Sequence, residues 1–358
     1  EKDPKTGKSS IEDFALGNIT TSYTMGSAVK GATVLTGYQQ GAIQPGTYFY
    51  DTKLRIKGTP PKGSYSDFGN INDLTALKVS SNVYMFRTAI NIAGAHYVPN
   101  EPLNISSGAF STMRNSFAQF GLGVRTGIDL PNEMSGFKGS EVSPGKLLDL
   151  AIGQYDTYTP MQLVQYVSAI ANGGNRMKPH MVKEIRDPVD NNEELGPVAE
   201  DVSPTVLNRL DMKEEWVERV QSGFEKVAME QGGTAYTYFG KKSYTVAAKT
   251  GTAEAFYDGP NRMNYSEPQE TMNITLVGYA PAKNPEVAFA VVVPWAYQGH
   301  TGHSMSKEIG EEIMDTYFEL KKERAKKENT ETSTDLKVEN GKDVQKDQAE
   351  VRKSQENE

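Results

Sequence analysis

The chain has 358 residues, no cysteine and a formal net charge of −8. The acidic balance excludes a general nucleic-acid-binding surface, which needs a basic footprint, and the missing cysteines exclude disulfides, thiolate catalysis and Cys-ligated zinc. Hydrophobic content of 37% with 33 glycines fits a mixed globular protein, and neither an apolar run of ~18 residues nor a cleavable signal peptide is visible.

The first residues, EKDPKTGKSS, are polar and start abruptly. They read as the start of a fragment whose natural N-terminus, with any anchor, lies upstream. Gly26 is followed by SAVKGATVLTGY, with helix-like apolar positions at Val29, Val34 and Leu35. A second apolar run, Leu74–Leu77, leads into the polar corner Ser80-Ser81-Asn82. Thr159-Pro160 opens a helix with an N-cap and a proline at its first position, and Gly173-Gly174 lies past its end. The next helix starts with Asp211 and Glu214 in capping-box positions. Its apolar face is Val217, Val220, Phe224 and Val227.

Strands follow. Ser243–Ala248 and Asn273–Ala280 are two, and Pro281–Pro285 is a tight turn. Glu286–Trp295 is a third, and its continuous apolar run predicts burial on both faces. Ser304–Lys321 then has helical spacing, with Ile309, Ile313, Tyr317 and Leu320 on one face. From Lys321 to Glu358 the chain carries 10 basic and 10 acidic residues and no aromatic one. Such a segment cannot bury enough apolar surface to offset its ordering entropy, so a disordered tail is expected. The predicted organisation is a folded domain over residues 1–320 and a tail over 321–358. Helices, then strands, then a helix give the class α+β.

The reaction centre has few candidate groups. His96, His180, His300 and His303 are the histidines. His300 and His303 fit either a metal pair or a polar turn, and no carboxylate pattern stands beside them. No GxSxG elbow and no GxxxxGK phosphate loop occurs. A serine activated by lysine remains. The lysine must be neutral, which takes burial or a neighbouring cation, so a second lysine is wanted close by. SxxK places both groups on one helical face. It occurs at Ser27–Lys30, Ser135–Lys138, Ser143–Lys146 and Ser304–Lys307. The middle two contain Gly or Pro, and Ser304 reads as an N-cap. Ser27 reads as a nucleophile at a helix N-terminus or as another N-cap. Ser80-x-Asn82 is the only SxN. Lys249-Thr250-Gly251 ends an apolar strand, with Gly251 allowing close approach of a ligand to the backbone. By itself Lys249 reads more readily as a solvated strand end. A second KTG, Lys5–Gly7, follows Asp3-Pro4 and reads as a turn.

SxxK, SxN and KTG in this order resemble the active-site set of penicillin-recognising serine enzymes. The chain resembles the transpeptidase domain of a class B, monofunctional penicillin-binding protein of Gram-positive type. FGLGVRTGIDLPNE (Phe120–Glu133), IGQYDTYTPMQLVQYVSAIANGG (Ile152–Gly174), Gly232-GTA and Val277-GYAP carry the likeness further, from about Tyr23 to Lys321. The resemblance implies an antiparallel sheet flanked by helices with a helical subdomain, and no cofactor or metal. It implies that Ser27 attacks the bond between two terminal D-alanines of a peptidoglycan stem peptide and that Lys30 takes its proton. Ser80 would pass a proton to the leaving D-alanine, with Lys249 shaping the field. Asn82 would bind the substrate backbone, and Thr250, Gly251 and Thr252 the terminal carboxylate. The Ser27 and Thr252 amides would form the oxyanion hole. Implied partners are stem peptides, β-lactam antibiotics and a membrane-embedded glycan polymerase, at the outer face of the bacterial cytoplasmic membrane. The alternatives are a serine β-lactamase, a D,D-carboxypeptidase, or a non-catalytic β-lactam sensor or scaffold. One departure is SSN in place of SDN, so Ser81 stands where an aspartate often does.

Overall fold

The computed structural model describes residues 16–190, 194–260, 262–299 and 302–327. In chain order it begins with α1 (Gly17–Thr20), a 3-10 turn (Gly26–Val29) and α2 (Lys30–Gln39). A small antiparallel pair, β1 (Tyr48–Asp51) and β2 (Gly69–Asn72), precedes α3 (Asp73–Lys78), α4 (Asn82–Ile92), α5 (Ala109–Gln119), α6 (Pro144–Ala151) and α7 (Pro160–Ala171). Two more short antiparallel pairs follow, β3 (Asn175–Met177) with β6 (Val206–Arg209) and β4 (Glu184–Arg186) with β5 (Val198–Asp201). Then come α8 (Glu214–Met229), α9 (Tyr236–Phe239) and a sheet of β7 (Ala247–Phe256), β8 (Glu270–Ala280) and β9 (Val287–Tyr297). That sheet is antiparallel in the order β7-β8-β9. The α+β class is therefore observed.

α2 is the hub. Every residue from Lys30 to Tyr38 is buried, so the helix is packed on all sides. Gly31 permits this. A Cβ there would lie 2.5 Å from the Phe224 ring and 2.6 Å from the Tyr166 hydroxyl. α7 begins as predicted, with a Thr159–Gln162 capping box and Pro160 in its first turn. The predicted apolar face of α8 is buried at all four positions.

Several boundaries differ from expectation. α8 has Lys213 at its N-cap without a side-chain bond; Asp211 instead receives a hydrogen bond on its carbonyl from Gln39. The first sheet strand begins at Ala247, not Ser243, and runs on to Phe256. Pairing with β8 holds this polar half extended. β9 is only partly buried, with Phe289 and Val291 its most buried residues. It lies at a sheet edge among the described residues. Residues 305–310 are helical and turn Ser306 and Gly310 inward rather than Ile309. Leu276 and Phe289 occupy the space a Cβ on Gly310 would need, so only that face can approach the sheet closely. Residues 311–327 are also helical, with Ile313 and Leu320 exposed. The remainder of the expected tail lies outside the described residues.

Candidate active site

Segments far apart in sequence line one cavity of about 560 Å³: Ser27, then Ser80 and Asn82, then Thr250, Gly251 and Thr252. Backbone contact brings the first and last together. Gly26 has φ +55°, and a Cβ on it would sit 2.2 Å from the Thr252 carbonyl oxygen. Its amide donates to the Gly153 carbonyl at 2.9 Å. The turn carrying Ser27 is thus wedged between β7 and the loop after α6. Gly251 serves the same junction. Its missing Cβ would lie 2.5 Å from the Met25 carbonyl and 2.2 Å from the Thr275 hydroxyl. The space of the missing Cβ is taken by the Ser27 turn, while Gly251 also lines the cavity.

β7 presents two chemistries by its period of two. Lys249 and Gly251 lie on the buried face, Thr250 and Thr252 on the open one. Lys249 sits within the strand, not at its end. Only β8 pairs with β7 among the described residues. On the other edge, the Glu254 N–H donates to Gln154 Oε1 at 3.2 Å, and Gln154 Nε2 donates to the Glu254 carbonyl at 2.8 Å. By the same period, the Thr252 N–H points to that open edge. The Ser27 N–H lies at the unpaired start of a helical turn.

The polar corner is the junction of α3 and α4. Ser80 has φ 58°, a conformation costly for a non-glycine residue and concentrated at functional sites. Ser81 is the N-cap of α4, accepting the Tyr84 amide at 3.0 Å. Asn82 is the first residue of that helix.

Two lysines converge on this corner. Both are buried. Lys30 Nζ is 2.7 Å from the Ser80 carbonyl, 2.6 Å from Asn82 Oδ1 and 3.2 Å from Ser80 Oγ. Lys249 Nζ is 2.8 Å from Ser80 Oγ and 3.0 Å from the Thr250 carbonyl. Burial and, next, the charge of Lys249 push Lys30 well below the usual lysine range, while Asp51 opposes them. Burial alone lowers Lys249 to about 7. Two adjacent buried ammonium groups repel, so the pair disfavours a second proton, and the charge of Lys249 acts against protonation of Lys30. A neutral Lys30 has two N–H bonds, and two obligate acceptors, the Ser80 carbonyl and Asn82 Oδ1, take them. Its lone pair is then left to accept a proton. Ser80 Oγ lies between the two amines and can relay one.

All sequence-predicted site residues meet here. The sequence reading gave no site role to Thr234, whose hydroxyl is 2.8 Å from that of Thr250, or to Gln154, although both lie in stretches that carried the likeness. It also passed over Asp51 and Ser64, which no local pattern marks. The other candidates are elsewhere. Ser304 bonds Glu308, and Ser143 bonds Glu141. His303 packs at a tilt against the Tyr297 ring, with centroids 4.8 Å apart, while His300 and the Lys5–Gly7 segment lie outside the described residues. Among the described residues no group of His, Asp and Glu is placed to hold a metal ion.

Comparison with known proteins accords with this geometry. The profile of the penicillin binding protein transpeptidase domain matches residues 1–315. The chain belongs to this family. Among its relatives, penicillin-binding protein 2A of Bacillus subtilis is 52% identical over 338 residues, 94% of this chain and 46% of that protein. The peptidoglycan D,D-transpeptidase MrdA of Escherichia coli is 25% identical over 313 residues, 82% of this chain and 45% of that protein. The solved structure of penicillin-binding protein 2B from Streptococcus pneumoniae superposes with a TM-score of 0.79 at 32% identity, covering 89% of this chain and 51% of that one. This penicillin-binding transpeptidase domain is of the class B, Gram-positive type. It spans about half the length of the curated relatives it matches.

Proposed function

We propose that this domain is the catalytic unit of a peptidoglycan D,D-transpeptidase that works through a Ser27 acyl-enzyme. The observation that carries the reading is the convergence of Lys30 and Lys249 on Ser80 in the cavity that Ser27 lines. Ser27 Oγ attacks the carbonyl between two D-alanines and its proton passes to Lys30. The C–N bond breaks, and the departing amine receives a proton through Ser80. The amine of a second stem peptide then attacks the acyl-enzyme and restores Ser27. The substrate lies along the open edge of β7, with its carboxylate at Thr250 and Thr252 and its backbone amide at Asn82. The amides of Ser27 and Thr252 hold the oxyanion, a role worth ~10²–10³ in rate per donor.

A β-lactam acylates the same serine and leaves slowly. Of the two carboxylates lining the cavity, Asp149 is paired with Lys62 at 2.6 Å and Glu254 sits on an exposed stretch of β7. Neither arrangement supports an efficient base for hydrolytic water. We place the whole protein at the outer face of the cytoplasmic membrane, where stem peptides lie, beside a membrane-embedded glycan polymerase. Residues 1–320 form the catalytic unit in this reading.

Intact mass after incubation with benzylpenicillin, followed by peptide mapping, tests the proposal. A lasting one-drug adduct on Ser27, absent from Ser27→Ala, is expected. The same adduct on Ser27→Ala overturns the nucleophile. A transient adduct with drug hydrolysis makes the protein a β-lactamase, and no adduct on folded protein makes it a scaffold. Transfer of a stem-peptide acyl group to an added amine separates the transpeptidase from a carboxypeptidase or sensor.

A further inference from the structure

Asp51 ends β1 and is 1% exposed. Its Oδ2 accepts from Ser81 Oγ at 2.5 Å and from Ser64 Oγ at 2.9 Å. Its Oδ1 has no hydrogen-bond partner among the described residues. The two hydroxyls then act as acceptors. Ser64 Oγ takes the amides of Asn82 at 3.0 Å and Val83 at 3.2 Å. Ser81 Oγ takes the amide of Tyr84 at 3.0 Å. Three unpaired amides at the start of α4 are therefore held by two hydroxyls, and both hydroxyl protons are committed to one carboxylate. The chain beside Ser64 adds a further tie, from Asn82 Nδ2 to the Gly63 carbonyl at 3.3 Å.

This arrangement accounts for the charges. A buried carboxylate is unfavourable unless hydrogen bonds and opposite charge compensate it. Here the compensation comes from two hydroxyls, the positive end of α4 and the lysine pair. When the lysine pair carries one proton, its charge and that of the ionised carboxylate sum to zero.

We propose that Asp51 is a positioning residue for acyl transfer: it locks the Ser80–Asn82 turn through Ser64 and Ser81, and its charge balances the proton held by the Lys30–Lys249 pair. The proposal rests on the reading of Ser27, Lys30 and Ser80 as an acyl-transfer centre. The charged groups acting on Lys30 are Lys249 from β7 and Asp51 from β1; Ser80 and Asn82 face it as neutral groups. The Tyr65 phenol feels Asp51 as well, second to its own burial. Asp51 favours the proton on Lys30, while burial and Lys249 disfavour it.

The test follows acylation of the full chain by a fluorescent penicillin as a function of pH. In Asp51→Asn the acidic limb of the rate profile should move to lower pH, because Lys30 loses the anion that favours its proton. The plateau rate should fall about tenfold, the equivalent of about 1.4 kcal/mol. Ser64→Ala keeps the charge and removes the tie, so its plateau should fall while its limb stays in place. A wild-type limb in folded Asp51→Asn, or a wild-type rate in Ser64→Ala, overturns the proposal. Should Asp51→Asn fail to fold by circular dichroism, Ser64→Ala carries the decision. Failure of the unmodified protein to acylate defeats the acyl-transfer reading instead.

Discussion

Lys249 Nζ lies 2.8 Å from the hydroxyl of Ser80, a residue 169 positions away in the chain. The contact joins the sheet to the helical part of the molecule inside the reaction cavity. It leaves the Ser80 proton free to face either Lys30 or a leaving group.

Lys249→Met should therefore slow acylation by ~10²-fold or more, as loss of a pre-set charge in a dry site does. It should also move the acidic limb to higher pH, because the charge of Lys249 is one of the causes that lower Lys30. Rate profiles with a fluorescent penicillin read both effects. A slower enzyme with an unmoved limb would assign Lys249 a steric role.

Stability should depend on pH through the same lysine. Lys249 falls from its ordinary 10.5 to about 7 on burial. Between those values the unfolded chain binds a proton that the folded chain lacks, so stability rises with pH across that window. Lys30 acts in the same direction. Urea midpoints at pH ~7 and ~9 should increase, and the increase should shrink in Lys249→Met. An equal increase in both proteins would remove Lys249 as its source.

Gly251→Ala should damage the site without touching a reactive group. The new methyl would meet the Met25 carbonyl at 2.5 Å and the Thr275 hydroxyl at 2.2 Å. Overpacking of this kind costs ~1–3 kcal/mol. Chemical denaturation should show that loss, and acylation should slow because the Ser27 turn is pushed off β7. Wild-type stability and rate together would show that the junction yields at no cost.

Thr159→Ala removes half of the capping box of α7. It should destabilise the protein by about 1 kcal/mol. The acylation rate at saturating drug should stay unchanged, since Thr159 lies outside the cavity lining. A loss above ~2 kcal/mol would mean that the cap holds more than its own helix.

The chain by itself determined the three motifs, their order and the fold class. It also determined the local signals of α7 and the buried face of α8, because Thr159, Pro160, Val217, Val220, Phe224 and Val227 act through neighbours three or four residues away. Only the tertiary structure decided matters that depend on distance through space. It showed that β7 continues through the KTG residues because β8 pairs with them, and that Gly251 yields its space to the turn before Ser27. It turned Gly310 inward instead of Ile309, since helix-to-sheet clearance is a property of the assembled layers. It placed Asp51 beneath the SxN turn and two lysines around one hydroxyl. The lysine that loses its proton is set by burial and by a neighbouring charge, and both come from segments remote in sequence.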